Sequence, residues 1–96
     1  MMGKYEIMYI LTATLDDEAR KNEIAKLNKI LTDNKIQVIA TKEWGLRDFA
    51  YPIKKQTKGH YVILTVNGGS EGLKEFDRLV KLDQAVLRHL ITVAQE

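Results

Sequence analysis

The side chains best suited to acid–base or metal chemistry are two histidines that lie far apart in the sequence. His60 and His89 fall on different predicted strands, and neither stands at a motif-like spacing from acidic residues. The chain has no cysteine, which excludes disulfides, thiolate metal sites and cysteine nucleophiles. The glycine-rich phosphate-binding motifs and the nucleophile elbow are also missing from the sequence. We therefore predict a protein that is not an enzyme, with no catalytic residue, metal site, cofactor or small-molecule substrate.

One segment resembles a nucleic-acid motif at its start. Lys58-Gly59-His60-Tyr61-Val62-Ile63-Leu64 begins like the third strand of an RNA-recognition motif. His60 and Val62 then stand where that motif carries its two stacking aromatics. Without those rings, base stacking on the sheet loses about 1–3 kcal/mol per base, so this mode of binding is not expected.

Positive charge is concentrated in the middle of the chain. The net charge is only +2, but residues 35–60 contain six basic and two acidic residues, a local net charge of +4. Two interpretations remain open at this point. The basic residues either protect the edge of a sheet from pairing or form a surface that attracts a polyanion.

Alternating and helical hydrophobic patterns predict six elements in the order β-α-β-β-α-β. A box of Thr14 and Asp17 is expected to cap the first helix and Ser70 the second, and Asn34 is expected to end the first in a left-handed conformation. Gly45 is expected to bend the second strand. The predicted strands span residues 4–11, 36–53, 60–66 and 85–93, the helices about 14–33 and 70–81, and the turns 54–59 and 67–69.

This order is that of a ferredoxin-like α+β fold, with a four-stranded antiparallel sheet and two helices on one face. The usual spatial order is 4-1-3-2, which places the second strand at an edge. Pro52 fits an edge strand because it lacks a backbone donor. We expect one domain over residues 1–96.

The strands are apolar on both faces, which solvent on the open face does not explain. Alternation leaves open which of the two faces the helices cover. On the assignment that we adopt, the residues on the side away from the helices are predicted to bind a protein partner: Met8, Ile10, Tyr61 and Ile63.

The most specific signal is the stretch Trp44 to Lys55, which contains the pattern W-G-x-R-x-x-A-Y-x-I. Together with the opening Lys4 to Ile10 and the helix end Ile30 to Asn34, it resembles the bacterial small-subunit ribosomal protein S-six (S6) family. The resemblance extends over nearly the whole chain, including Val86-Leu87-Arg88 near its end.

The resemblance implies a structural constituent of the small ribosomal subunit, located in the cytoplasm. It also implies binding to the central domain of small-subunit ribosomal RNA together with a small basic ribosomal protein, S-eighteen. Leu46 and Asp48 stand where the family often has basic residues, which implies fewer phosphate contacts and more reliance on the partner. The residues predicted to bind RNA, from the resemblance and the central charge, are Lys4, Arg47, Tyr51, Lys54, Lys55, Lys58 and Arg88.

Other interpretations of these features stay open. Packing explains Trp44 and Gly45 better than RNA contact does, since Trp44, with Phe49 and Tyr51, can pack a long edge strand while Gly45 supplies its bend. The whole chain can also be a homodimeric regulatory or ligand-binding domain that pairs through its open sheet. No segment is long and apolar enough to span a bilayer, and the N-terminus shows no secretory signal, so no membrane association is expected.

Overall fold

The computed structural model describes residues 2–94 as a four-stranded antiparallel sheet with two helices. The strands run in the order β2-β3-β1-β4, so β2 lies at an edge. Both the ferredoxin-like fold and the edge position of β2 are confirmed. The elements are β1 (Met2–Thr12), α1 (Asp17–Asp33), β2 (Gln37–Ile53), β3 (Gln56–Gly69), α2 (Ser70–Lys81) and β4 (Val86–Val93).

Both helices pack on the same face of the sheet. The core combines alternate residues of β1 and β3 with one stripe of each helix, as the period-two and helical patterns require. The helical stripes consist of apolar residues at a spacing of three or four, and all are buried: Ile24, Leu27 and Leu31 on α1, and Leu73, Phe76 and Val80 on α2. The strand residues beneath them are Ile7, Tyr9 and Leu11 of β1 and Val62, Leu64 and Val66 of β3.

The first helix ends at Asp33 with Asn34 as its C-cap, as predicted, but the predicted N-terminal cap and the predicted conformation of Asn34 were wrong. The side chain of Asp16, not that of Thr14, accepts a 2.7 Å hydrogen bond from the amide of Ala19 and caps α1. At the other end, Asn34 has a φ of −98°, whereas Lys35 takes the left-handed conformation with a φ of 62°. The amide of Ile36 then donates to the carbonyl of Leu31 at 2.9 Å, which closes the helix.

The predicted turn at 67–69 is strand instead. Because β1 begins at Met2, its first residues supply partners for Asn67, Gly68 and Gly69, and β3 continues to the start of α2. Ser70 is the first helical residue, and the capping position falls on Gly69, which has no side chain to cap with.

The hairpin between β2 and β3 turns on two residues, not on the predicted six at 54–59. Lys54 and Lys55 have φ values of 49° and 66°, and β3 starts at Gln56. Positive φ at both central residues is the geometry of the tight turns that suit the twist of hairpin strands. The two lysines therefore form the tip of the hairpin.

Candidate nucleic-acid and partner interface

The edge strand β2 departs from regular pairing at several points, which sets the shape of the open face. The register shifts between Glu43 and Gly45, where Gly45 has a φ of 82°, so the predicted bend at this glycine is confirmed. A wider irregularity follows between Asp48 and Ile53, where β2 advances five positions while β3 advances from Lys58 only to Gln56. Phe49 and Tyr51 therefore have no partner in the β2–β3 ladder, although both fall within the strand predicted over residues 36–53.

This wide bulge, residues 49–52, folds back over the open face of the sheet. It also holds Pro52, whose missing donor matters little in an unpaired segment. A Cβ on Gly59 would overlap Ile10 Cγ2 and would come within 2.8 Å of Phe49 Cζ. The absence of a side chain at Gly59 therefore allows Phe49 and Ile10 to close over β3.

A groove of about 240 Å³ lies between the bulge and the open face. One wall carries Arg88, which lies opposite Ile10 in the β1–β4 ladder. The groove combines an apolar floor, two tyrosines and a guanidinium. Its lining residues are Met8, Ile10, Asp48, Phe49, Ala50, Tyr51, Ile53, Tyr61 and Arg88.

The four predicted partner-binding residues share the open face, since the ladder places Met8 opposite Ile63 and Ile10 opposite Tyr61. Met8, Tyr61 and Ile63 are half-buried and present part of their side chains. Ile10 is only 2% exposed. It therefore serves as the floor beneath the groove, and a partner has little of it to contact.

Five of the seven predicted RNA-binding residues surround this groove or lie at the hairpin tip. Arg47 lies opposite Gly59 on the open side, and Arg88 and Tyr51 line the groove. Lys54 and Lys55 form the turn, and all five side chains are exposed. These residues are on three different elements, and the bulge and the tight turn bring them to the same end of the sheet.

Lys58 and Lys4 do not lie at the groove. Lys58 opposes Asp48 on the side of the sheet that carries the helices, where it lines a cleft of about 320 Å³ with Thr14 and Lys55. Lys4 is on the open face but six residues along β1 from Ile10, which is about 20 Å. The predicted set therefore does not form a single patch.

Ion pairing separates the helical cations from those of the sheet. Within residues 2–94, no lysine or arginine of the strands or the hairpin turn lies within ion-pair distance of a carboxylate. The unpaired cations include six of the predicted RNA-binding residues. The paired cations are Arg20, Lys26 and Lys29 on α1 and Arg78 and Lys81 on α2.

Trp44 does not pack as the sequence suggested. Its side chain is 52% exposed at the bulge before Gly45, and the Arg47 guanidinium lies 5.7 Å from the centroid of its ring. The packing interpretation of Trp44 is therefore wrong, whereas the bending role of Gly45 holds. The sequence offers no signal for this exposure, because a tryptophan in an apolar stretch is ordinarily buried.

The two histidines take part in separate local contacts. His89 Nε2 lies 2.5 Å from Asp77 Oδ1, and this contact, followed by that of Lys81, lowers the pKa of the Asp77 carboxyl. Burial and the nearby Arg20 guanidinium lower the pKa of His60, which favours its neutral form.

Among residues 2–94, no three histidine or acidic side chains come together in a way that would hold a metal ion. Within the same range, neither helix has the length and apolarity needed to cross a bilayer.

Comparison with known proteins identifies the family. The family model of ribosomal protein S6 matches residues 4–93. The crystal structure of 30S ribosomal protein S6 from Thermotoga maritima is similar to this chain with a TM-score of 0.93. It is 24% identical in sequence, and the match covers 98% of this chain and 89% of that one. The structural likeness establishes the fold, and the chain belongs to the ribosomal protein S6 family, whose role is a structural, non-enzymatic one in the cytoplasmic small ribosomal subunit.

Proposed function

We propose that this protein binds the central domain of small-subunit ribosomal RNA together with the small basic ribosomal protein S-eighteen, called the basic partner below. The observation that supports this most strongly is the separation of charges. Cations of the helices are largely paired, whereas Arg47, Lys54, Lys55 and Arg88 are exposed and unpaired at one end of the described sheet. Unpaired cations bind phosphates without first losing a carboxylate neighbour.

The open face is the surface that we assign to the basic partner. Met8, Tyr61 and Ile63 are half-buried there, and covering a large apolar side chain contributes up to roughly 1.5–3 kcal/mol before the cost of association. The groove beside them adds a concave site for a partner side chain.

The free edge of β2 is a less suitable docking surface. Its backbone is available for strand addition, but the register shifts at residues 38–40, 43–45 and 48–53. Each irregularity disturbs the regular spacing of donors and acceptors that an added strand requires. We therefore assign the edge a secondary role.

The low total charge implies that the isolated protein binds RNA weakly. Its net charge is +2, and each phosphate neutralised on a duplex changes log affinity by roughly −0.9 per unit of log salt. With few contacts, we expect a shallow salt dependence for the protein alone and a clear gain in affinity when the basic partner is present.

Gel-shift titrations with a central-domain RNA fragment, at several salt concentrations and with and without the basic partner, test this proposal. An unrelated RNA of equal length is the control. Tight binding by the isolated protein with a salt slope steeper than about −5 would contradict the dependence on the partner. A stable homodimer in sedimentation, with no RNA affinity under any condition, would support the alternative of a homodimeric regulatory domain.

A further inference from the structure

We infer that Trp44 is a stacking platform for the base of an unpaired nucleotide. This rests on the proposed RNA binding and adds the kind of RNA element recognised. The indole is 52% exposed and does not belong to the core cluster, so a packing role does not account for it.

Local contacts limit the orientations of the indole. Gly45 takes a φ of 82° directly after it, at the register shift that follows Glu43. The guanidinium of Arg47 lies 5.7 Å from the ring centroid, and its Nε donates a hydrogen bond to the carbonyl of Trp44 at 3.4 Å. A ring held in this way loses little further freedom when a base stacks on it.

The surrounding charges favour a nucleotide over an apolar protein surface. Lys42 lies opposite Ile63 and Arg47 opposite Gly59, so both cations are on the open side of β2. The two acidic residues of this stretch are directed to the other side. Glu43 lies opposite Val62 and 3.7 Å from Arg20, and Asp48 lies opposite Lys58.

An exposed aromatic ring beside the unpaired Arg47, with a second unpaired cation, Lys42, on the same strand and the acids turned away, matches the chemistry of a nucleotide. The base has a π face for the indole, and its phosphate carries the negative charge for Arg47 or Lys42. Bases inside a duplex are stacked on each other, so the base that reaches Trp44 must come from a loop, a bulge or a strand end.

Intrinsic fluorescence tests this directly, because Trp44 is the one tryptophan of the chain. We expect its emission to be quenched when the central-domain RNA fragment is added in the presence of the basic partner. A fully double-stranded RNA of equal length should leave it unchanged. The same titrations with W44F provide the background to subtract, including any emission of the partner.

Affinity measurements on matched variants give a second readout. Removing the platform in W44L should weaken RNA binding about 5- to 150-fold, which corresponds to the loss of one stacked base. W44F, which keeps an aromatic face, should lose less. The matched control is L46A, since Leu46 is also 52% exposed on β2 but lies opposite His60, on the side of the helices. It should bind RNA as the wild type does.

The outcomes separate this inference from the proposed function. Unchanged emission at RNA concentrations that saturate the gel shift would overturn the stacking role and leave RNA binding intact. Quenching by the basic partner alone would assign Trp44 to the protein interface and also overturn it. If no RNA is shifted with or without the partner, both proposals fail together.

Discussion

The ring of Phe49 lies 6.1 Å from the ring of Tyr61, centroid to centroid, with the two planes tilted by 56°. Phe49 reaches this position because β2 leaves its ladder after Asp48. The contact holds the bulge against the open face and covers Ile10. The groove therefore depends on the packing of Phe49 across a segment without regular pairing.

Gly59→Ala should destabilise the protein by about 1–3 kcal/mol, the range observed when extra atoms are forced into a packed site. The new methyl would overlap Ile10 Cγ2, approach Phe49 Cζ to 2.8 Å and lie 3.0 Å from the backbone oxygen of Leu11. Urea unfolding followed by circular dichroism measures the change in the free energy of unfolding.

A double-mutant cycle with Phe49→Ala isolates the cause of that loss. Removing the ring relieves one of the three close contacts and gives the Ile10 side chain space to shift, so Gly59→Ala should cost less in the Phe49→Ala background than in the wild type. Equal costs in both backgrounds would show that the glycine is needed for another reason. Gly45→Ala is a useful comparison because it lacks a steric clash. A Cβ added at Gly45 would have no atom within 4 Å, so only the φ of 82° opposes that change.

Ile63→Asp should prevent binding of the basic partner while the protein stays folded. Ile63 is half-buried on the open face, so an aspartate there retains access to water while the protein is unbound. Covering that carboxylate with the apolar contact surface of the partner would cost free energy. Ile10→Asp is not an equivalent test. Ile10 is 2% exposed, and a carboxylate at that position should unfold the protein.

Co-sedimentation with the basic partner, together with a thermal melt of each variant, checks this prediction. A folded Ile63→Asp variant that pairs normally would move the docking surface elsewhere, with the β2 edge as the next candidate.

The sequence predicts features that follow a periodic hydrophobic pattern, and it does not predict the packing of irregular segments such as the bulge at residues 49–52. Alternation along β1 separates Ile7 and Tyr9 from Met8 and Ile10 correctly, because successive side chains point to opposite faces. It does not reveal that Ile10 is covered, because its cover comes from Phe49, thirty-nine positions away through an irregular bulge.

The hairpin tip shows the same limit. Tight turns with positive φ normally contain Asn-Gly or Asp-Gly, whereas Lys54-Lys55 carries no such signal. The sequence therefore predicts a longer loop there. A long-range contact also lies beside the observed two-residue turn: Thr12 Oγ1 donates a 2.7 Å hydrogen bond to Gln56 Oε1.

Alanine changes at Arg47, Lys54 and Lys55 should weaken RNA assembly and reduce the magnitude of the salt slope by up to about one unit each. Their side chains are exposed, so the free energy of unfolding should change by no more than about 0.5 kcal/mol. Filter binding across a salt series, beside thermal melts, measures both quantities.

The matched control is Lys29→Ala, since Lys29 pairs with Asp33 at 3.1 Å on α1 and should leave RNA binding unchanged. A large fall in melting temperature with unaltered RNA affinity would show that the three sheet and turn cations are structural.

Two carboxyl groups and a lysine meet between α1 and the loop before β4. Lys26 Nζ lies 3.0 Å from Asp83 Oδ2 and 3.9 Å from Glu23 Oε1. Burial, and then the neighbouring Asp83, raise the pKa of Glu23 to about 7. Burial alone would raise the pKa of Asp83 as well, but the neighbouring Glu23 and hydrogen bonds from the Ala85 amide and Lys26 hold it below its usual value. Of the two carboxyl groups, Glu23 is therefore the one that holds its proton to the higher pH.

The protein should lose stability as the pH rises from about 4.5 to 7 through this group. Glu23 has a pKa of 4.5 when unfolded and about 7 when folded, so the folded state binds more protons in that window. The stability contributed by protonated Glu23 is fully present below the unfolded-state pKa of 4.5 and is lost above the folded-state pKa of about 7. Its size is on the order of 1–3 kcal/mol, at about 1.4 kcal/mol per pKa unit.

The difference between the wild type and Glu23→Gln isolates this effect, because glutamine imitates the protonated carboxyl at every pH. His60, whose pKa is lowered, acts in the opposite direction near pH 6, and it does so equally in both proteins, so it cancels in the difference. Urea unfolding at a series of pH values should show Glu23→Gln gaining on the wild type up to about pH 7 and then running parallel to it. Curves that stay parallel from pH 4.5 upward would mean that Glu23 is already ionised in the folded protein.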